Sequence, residues 1–309
     1  MFVMLASCKD DKKENYDVEN KKNNYPEWDA EEDYEESVEA FSQGLQFEVS
    51  EDRTYFIVKD IGTCTDTKIV VPPTYNDLPV RELGYGVFGG GSFVKPNVPR
   101  VSEVILPNSI VKIGNGAFAN NSYLTKIKFG NSIESIDKDA FYNCDNIKEV
   151  HISNINKWCS IDFYASDSCP FYSSHDAKLY VNNNQVTDLV INDVSEIKKY
   201  AFNGCGTIET LSIGSSVKTI GVGAFYNCDN LREISIGASV SKIDGNLLEG
   251  NSFANCDILL KVKFADTDGW TVYGFKEDPV KISSAELSNA NTAAKYIEDK
   301  YSHHSWVKK

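Results

Sequence analysis

Cysteine and histidine are the residues of this 309-residue chain that could support catalysis, and there are eight of the first and four of the second. Cys159 and Cys169 stand ten positions apart, and an imidazole could activate either thiol as a nucleophile. His151 and His175 flank them in the sequence. The chain contains no P-loop, G-x-S-x-G, H-E-x-x-H or paired C-x-x-C motif. We therefore predict a non-enzymatic protein without a metal or cofactor; a hydrolase would require one of these thiols to have a low pKa.

Four other cysteines recur at one position of a repeated segment. They are Cys144, Cys205, Cys228 and Cys256. Asn121 fills the same position in another copy, which favours small buried residues over a shared chemical role. Side chains stacked on adjacent copies point in parallel, a poor geometry for a disulfide, so we expect free thiols here. Cys159 and Cys169 are the most plausible disulfide pair.

The repeated segment organises most of the chain. Residues 110–129 read IVKIGNGAFANNSYLTKIKF, and residues 133–152 read IESIDKDAFYNCDNIKEVHI. The pattern starts again at Val194, Val217 and Val240. Phenylalanine recurs at one offset, as Phe88, Phe118, Phe141, Phe202 and Phe225. A fixed period of this length predicts a solenoid, in which each copy buries its apolar face against its neighbours.

Each copy ends in an alternation of period two, L-x-x-I-x-I, which predicts a short strand with one face inward. The whole unit, V-x-x-I-x-x-x-A-F-x-x-C-x-x-L-x-x-I-x-I, resembles the BspA-like leucine-rich-repeat family of bacterial surface proteins and lipoproteins. The resemblance extends from about Leu45 to the C-terminus. It implies a repeat solenoid, a right-handed leucine-rich-repeat superhelix that is β-rich, has short helical or irregular convex segments, and is capped at both ends.

The N-terminus resembles a truncated lipoprotein signal peptide. Residues 1–8, MFVMLASC, end in a sequence like a lipobox, so Cys8 is the expected lipid attachment site. The charged residues after Cys8 are similar to the export signal of Bacteroidetes surface lipoproteins. This resemblance implies an outer-membrane lipoprotein on the extracellular side of the cell surface. The alternative is a chance apolar N-terminus with one cysteine.

Residues 9–44 are expected to form an acidic tether. Residues 9–39 carry 13 acidic and 5 basic side chains, which supply −8 of the net charge of −14. A short amphipathic helix ending at Gly44 is predicted. We favour a role in covering the open first coil over a role in binding a partner. The apolar face of this helix would consist of Tyr34, Val38, Phe41 and Leu45. The charge argues against nucleic acid as a partner, and no apolar run approaches a membrane span, so a lipid anchor is the only membrane contact expected.

The solenoid is expected over residues 45–275, followed by a C-terminal cap with a helix over residues 276–309. One irregular coil at residues 153–186 interrupts the repeat. Its aromatic residues are Trp158, Phe163, Tyr164, Phe171, Tyr172 and Tyr180. Such an insertion can be a binding loop, or its aromatic side chains can fill the core of an atypical coil. We favour the second interpretation.

The outward positions of the predicted strands form a mixed polar surface, which is the candidate binding site. It comprises Lys126, Lys128, Glu149, His151, Asp188, Val190, Thr210, Glu233, Lys261 and Lys263. The family resemblance implies an adhesin whose partners are host matrix proteins or other cells. The alternative is a glycan-binding or scaffolding subunit of a surface complex, which would need the aromatic residues of the irregular coil to be exposed.

Overall fold

The computed structural model describes residues 40–90, 100–248 and 250–309. The predicted lipid attachment site at Cys8 and the acidic tether as far as residue 39 lie outside these ranges. Residues 40–45 include a turn and no helical residue. The amphipathic helix predicted to end at Gly44 therefore does not extend to that residue.

The described residues form 25 short strands, most of which are separated by turns. In chain order the strands are β1 (Gln46–Val49), β2 (Phe56–Asp60), β3 (Lys68–Val70), β4 (Thr74–Tyr75), β5 (Leu78–Leu83), β6 (Glu103–Ile105), β7 (Lys112–Ile113), β8 (Lys126–Lys128), β9 (Ser135–Ile136), β10 (Glu149–Ile152), β11 (Asp162–Phe163), β12 (Lys178–Val181), β13 (Asn184–Gln185), β14 (Asp188–Ile191), β15 (Glu196–Ile197), β16 (Thr210–Ile213), β17 (Thr219–Ile220), β18 (Glu233–Ile236), β19 (Lys242–Ile243), β20 (Gly245–Asn246), β21 (Gly250–Asn251), β22 (Lys261–Phe264), β23 (Trp270–Tyr273), β24 (Val280–Lys281) and β25 (Ser305–Lys308).

Within the described residues, helices are short and fall in the irregular coil and near the C-terminus. They are α1 (Ile155–Cys159), a 3₁₀ turn (Ser166–Ser168), α2 (Ser284–Leu287), α3 (Ala290–Lys295) and a π-helical turn (Tyr296–Lys300). Each of the three α-helices begins with a side-chain cap that satisfies free backbone N–H groups. Asn154 caps α1, Ser283 caps α2 and Asn289 caps α3. The single helix expected near the C-terminus is thus divided into α3 and the π-helical turn.

Four sheets line the repeat, and successive coils add parallel strands to them. The N-terminal front sheet has the order β13-β12-β10-β8-β6-β3, and the C-terminal front sheet has the order β14-β16-β18-β22. The N-terminal back sheet has the order β1-β2-β5-β7-β9-β11, with β4 beside β5. The C-terminal back sheet has the order β15-β17-β19-β25-β23-β24. The fold is therefore a β-rich repeat, as predicted, and its sheets are open.

The phenylalanine positions of successive coils stack in the core. The ring centroids of Phe118 and Phe141 lie 4.9 Å apart with an interplanar angle of 11°, and those of Phe202 and Phe225 lie 5.3 Å apart. Phe253 continues the second stack at 5.4 Å from Phe225, although an insertion in its coil hides this position in the sequence. All five side chains are fully buried. Like residues stack because consecutive parallel strands repeat at about 4.8 Å.

The recurrent cysteine position has a hydrogen-bonding role. The thiols of Cys144, Cys228 and Cys256 donate to the carbonyl oxygen of the phenylalanine one coil earlier, at 3.1, 3.4 and 3.3 Å. Asn121 uses its amide Nδ2 in the same way, donating to the Phe88 carbonyl oxygen at 3.0 Å. In these four coils the position therefore holds a small side chain that can donate a hydrogen bond. The seven cysteines of the described residues are all free and buried, as expected for the repeat positions.

The disulfide predicted between Cys159 and Cys169 does not form in the structure. Cys159 ends α1, and Cys169 follows the 3₁₀ turn with its thiol 3.8 Å from the Ala201 carbonyl oxygen. Both side chains are completely buried among apolar groups. The irregular coil is thus held by packing rather than by a covalent link.

Candidate functional site

The outward side chains of the front sheets form two rows on each sheet. On the N-terminal front sheet the strand registers align Lys68, Glu103, Lys126, Glu149 and Lys178 in one row, and Val70, Ile105, Lys128, His151 and Tyr180 in the other. On the C-terminal front sheet they align Asp188, Thr210, Glu233 and Lys261, and Val190, Ser212, Ser235 and Lys263. All ten residues predicted for the binding surface lie in these rows.

The order of strands in the predicted surface nevertheless differs from the order that the sequence repeat indicates. The repeat pattern places Asp188 directly after Glu149, whereas the structure pairs Glu149 with Lys178 of β12. Strand β12 belongs to the irregular coil, so it lacks the repeat signature, although its K-L-Y-V alternation was a usable signal. In the described sheets, β14 starts a separate ladder with β16. Sequence reasoning thus missed Lys178 and Tyr180 as members of the surface.

Opposite charges alternate along the first row of the N-terminal front sheet. Lys126 Nζ lies 3.3 Å from Glu149 Oε2 and 3.9 Å from Glu103 Oε1, and Lys68 Nζ lies 3.7 Å from Glu103. Cross-strand pairs of this kind contribute roughly 0.2–1 kcal/mol each. On the C-terminal front sheet, Lys261 Nζ pairs with Glu233 at 2.8 Å. These contacts fix the charged side chains in place on both sheets.

His151 is the member of the predicted surface that is not accessible. Its side chain is only 8% exposed, because its ring stacks on Tyr180 with 4.5 Å between centroids and 5° between planes. His151 Nε2 lies 2.9 Å from Glu149 Oε2, and Nδ1 is buried without a hydrogen-bond partner in the described residues. Burial, only partly offset by the bond to Glu149, lowers the pKa of His151. The hydrogen bond from His151 in turn lowers the pKa of Glu149.

The geometry gives no support to a thiol nucleophile. Burial raises the pKa values of Cys159 and Cys169 far above the usual range, whereas a reactive cysteine needs a lowered pKa. The candidate histidines bond elsewhere, His151 to Glu149 and His175 Nδ1 to Asp229 Oδ2 at 3.3 Å. The burial of these thiols therefore argues against a catalytic cysteine at either position.

The aromatic residues of the irregular coil mostly fill its core. Trp158, Phe163 and Phe171 are at most 2% exposed, and the Trp158 indole donates to the Ala201 carbonyl oxygen at 2.7 Å. Tyr164 is 64% exposed, and Tyr172 and Tyr180 are partly exposed. The interpretation that aromatic side chains fill the core of this coil is therefore confirmed for Trp158, Phe163 and Phe171. An exposed aromatic platform, on which the glycan-binding alternative depended, is not formed by Trp158 and Phe171.

A sequence profile of the BspA-type leucine-rich-repeat region matches residues 93–177 and 174–292 in six copies. The chain belongs to this BspA-type family. Its repeat unit is therefore the one that the sequence pattern predicted. No curated protein matches the sequence.

Several solved bacterial leucine-rich-repeat proteins are similar to this BspA-type chain. A leucine-rich-repeat protein of T. pallidum is 21% identical, with 72% of this chain and 81% of the other covered and a TM-score of 0.40. A leucine-rich cell surface protein of Faecalibacterium prausnitzii is 15% identical, with 72% and 88% covered and a TM-score of 0.28. The pneumococcal vaccine antigen PcpA is 15% identical, with 74% and 82% covered and a TM-score of 0.34.

Over residues 40–90, 100–248 and 250–309, His, Cys, Asp and Glu nowhere gather in threes in a way that could hold a metal ion. His303 is exposed, and His304 Nε2 bonds to Glu277 at 3.1 Å. Within the same ranges, the helices are all too short or too polar to cross a bilayer.

Proposed function

We propose that this BspA-type protein is a non-enzymatic cell-surface module that binds other proteins through its front sheets, as an adhesin for host matrix proteins or for other cells. The observation that carries the proposal is the contrast between the two faces of each front strand. Inward positions are apolar in every coil, whereas outward positions change from coil to coil among lysine, glutamate, threonine, serine and tyrosine. Only the inward residues are required by the fold, so the outward residues are available for recognition.

The centre of the proposed contact is the N-terminal front sheet. Ile105 supplies partly exposed apolar area in one row, where Val70 beside it is only 4% exposed, and Tyr180 adds a half-exposed ring held against His151. Ordered charges flank this row on Lys126 and Glu149. An apolar and aromatic centre with a charged rim is typical of protein–protein interfaces.

We also propose that the protein lies on the cell surface, that Cys8 carries its lipid anchor, and that the repeat forms a superhelix capped at both ends. Contacts at both ends of the described repeat support the caps. Ser42 hydrogen-bonds to the outer edge of β3, and β25 pairs antiparallel with β19, where a further coil would otherwise add its strand. Exposed strand edges invite association, so covering both ends keeps a solenoid monomeric.

The test is binding of the purified chain to immobilised extracellular-matrix proteins and glycans at physiological salt. We expect saturable binding to a matrix protein, weakened by Lys128→Glu on the N-terminal front sheet. Lys138→Glu is the matched control, since it makes the same charge change on an exposed turn outside the front sheets. Binding to glycans alone, or equal weakening by both variants, would count against the proposal.

A further inference from the structure

Lysine and glutamate alternate along the outward row of the N-terminal front sheet that begins on β3. The strand registers give the order Lys68, Glu103, Lys126, Glu149 and Lys178. Neighbouring strands lie about 4.8 Å apart, so the lysines recur on every second strand, about 10 Å from each other. Three cations at equal intervals therefore face outward over a span of about 19 Å.

The corresponding rows of two other sheets do not repeat this spacing. They consist of Asp188, Thr210, Glu233 and Lys261 on the C-terminal front sheet and of Glu82, Lys112, Ser135 and Asp162 on the N-terminal back sheet. Each of these two rows contains a single lysine. The N-terminal front sheet is thus set apart from them by the number and the spacing of its cations.

Ion pairs hold the lysines of the alternating row in position. Lys126 Nζ lies 3.3 Å from Glu149 and 3.9 Å from Glu103, and Lys68 Nζ lies 3.7 Å from Glu103. The side chains of Lys68 and Lys126 nevertheless remain 39% and 32% exposed, and Lys178 at the end of the row is exposed. Each ammonium group has three N–H donors, so it can bind a second carboxylate from the open face of the sheet.

At physiological ionic strength, the spacing of these charges matters more than their sum. The Debye length is then about 8 Å, which is shorter than the interval between the lysines. Each lysine therefore acts mainly on the group directly opposite it, and so do Glu103 and Glu149 between the lysines. A polyanion with closely spaced charges would place some of them against these glutamates, which repel them. The row accordingly favours carboxylates about 10 Å apart over a dense polyanion.

The neighbouring row of the same sheet adds apolar contact. Ile105 and Tyr180 belong to it, and both are partly exposed. The ring of Tyr180 is fixed by its stack on His151, with 4.5 Å between the ring centroids. Lys128, on a strand between those of Ile105 and Tyr180, adds a further cation. A ligand that fits both rows needs carboxylates along one side and apolar groups along the other, a combination that protein segments provide.

We propose that the N-terminal front sheet binds an acidic segment of a partner protein whose carboxylates lie about 10 Å apart. The carboxylates pair with Lys68, Lys126 and Lys178, while apolar side chains of the segment lie on Ile105 and Tyr180. This inference rests on the proposed function and specifies the chemistry of the partner. A polyproline II segment with an acidic residue at every third position has the required spacing, because three residues rise by about 9.3 Å and complete one turn.

Two seven-residue peptides of equal composition test the spacing. Glu-Pro-Pro-Glu-Pro-Pro-Glu places its carboxylates about 9 Å apart on one face, whereas Glu-Glu-Glu-Pro-Pro-Pro-Pro places them together. Both peptides have blocked termini, so glutamate supplies their only carboxylates. Carbodiimide links these carboxylates to lysines of the whole chain at about 0.15 M salt, and mass spectrometry identifies the linked lysines. We expect the spaced peptide to give about two- to fivefold more links to the three lysines of the row, the gain from one additional exposed ion pair.

Two matched variants locate the contact. Lys178→Gln removes the last cation of the row, so the yield of links from the spaced peptide to Lys68 and Lys126 should fall. Lys261→Gln makes the same change at an exposed position of the C-terminal front sheet and should leave that yield unchanged. Equal yields from the two peptides, or links only to lysines outside the row, would overturn the proposal. A higher yield from the contiguous peptide would also overturn it and would assign the sheet to dense polyanions such as sulfated polysaccharides.

The peptide experiment is independent of the matrix-binding experiment, because neither peptide is a host protein. Saturable matrix binding together with equal peptide yields would support the adhesin and refute the spaced acidic partner. A clear advantage of the spaced peptide without matrix binding would support the acidic partner and count against the adhesin.

Discussion

The imidazole of His151 lies parallel to the phenol ring of Tyr180 on the neighbouring strand, with 4.5 Å between the ring centroids. The stack joins the last regular strand of the N-terminal front sheet, β10, to β12 of the irregular coil. It leaves His151 almost completely buried on a face where the alternation of the strand predicts exposure. Glu149, Lys126, Lys128 and Lys178 are the charged residues on the strands around it.

We expect this histidine to make the fold sensitive to acid. Burial lowers its pKa below the ordinary value of 6.5, so the unfolded chain binds the proton first as the pH falls. Stability should therefore decrease as the pH falls below about 6.5, and Glu149, whose pKa is also lowered, adds to the loss near pH 4. His151→Phe should reduce the difference in free energy of unfolding between pH 7 and pH 5. Urea unfolding at both values measures it, and an unchanged difference would show that other groups cause the pH dependence.

The phenylalanine stack should dominate the stability of the repeat. Phe141 is fully buried, with Phe118 at 4.9 Å and Phe129 at 6.1 Å between ring centroids. Phe141→Ala should cost about 3–5 kcal/mol, because it removes a large side chain and leaves a cavity. Lys128→Ala on the outward face should cost less than about 0.5 kcal/mol. Denaturant unfolding compares the two, and similar losses would mean that the inward and outward faces are assigned wrongly.

Sequence reasoning succeeded where one coil repeats the next. Phe118 and Phe141 occupy the same offset, and a core built by stacking requires that periodicity, so the sequence reveals both the strand and its buried face. It failed where the period is broken. Tyr180 lies on a strand without the repeat signature, and the pairing of Glu149 with Lys178 depends on how the irregular coil packs. The burial of His151 could not be read from its own strand, because the covering ring comes from another.

The cysteines should behave as buried free thiols. Cys64 is 5% exposed and the other six described cysteines are fully buried, and burial raises the pKa of each thiol, to about 12 for Cys144, Cys205 and Cys256. Iodoacetamide at neutral pH should label these seven residues slowly in the folded chain and completely after denaturation without a reductant. Mass spectrometry of the peptides provides the readout. Protection of Cys159 and Cys169 in the denatured chain would reveal the disulfide that the structure lacks.

Asn121 offers a test of the hydrogen-bonding role assigned to the cysteine position. Its Nδ2 donates to the Phe88 carbonyl oxygen, and its Oδ1 accepts from the backbone N–H groups of Tyr123 and Leu124 at 3.0 and 3.1 Å. Asn121→Ala should cost about 1–3 kcal/mol, because buried backbone groups lose their partners. Asn121→Cys should cost less, since a thiol donates to the equivalent carbonyl oxygen in three later coils. Equal losses of stability for the two variants in thermal unfolding would show that a hydrogen-bond donor is not required at this position.

Trp306 should be the residue that closes the C-terminal end of the array. It is fully buried on β25, opposite Ile243 of β19 and Val272 of β23, and it packs near Phe264 and Trp270. Trp306→Ala should cost about 3–5 kcal/mol.

The same substitution should loosen β25 and expose the edge of β19, and an unpaired edge recruits strands from other chains. We therefore expect Trp306→Ala to form concentration-dependent oligomers in light scattering, in addition to a lower melting temperature. Val307→Ala is the matched control, because Val307 is on the same strand but only partly buried. A destabilised Trp306→Ala chain that stays monomeric would show that β25 contributes core packing without protecting the edge of β19. The C-terminal cap would then have to be formed by α3, which packs against β22.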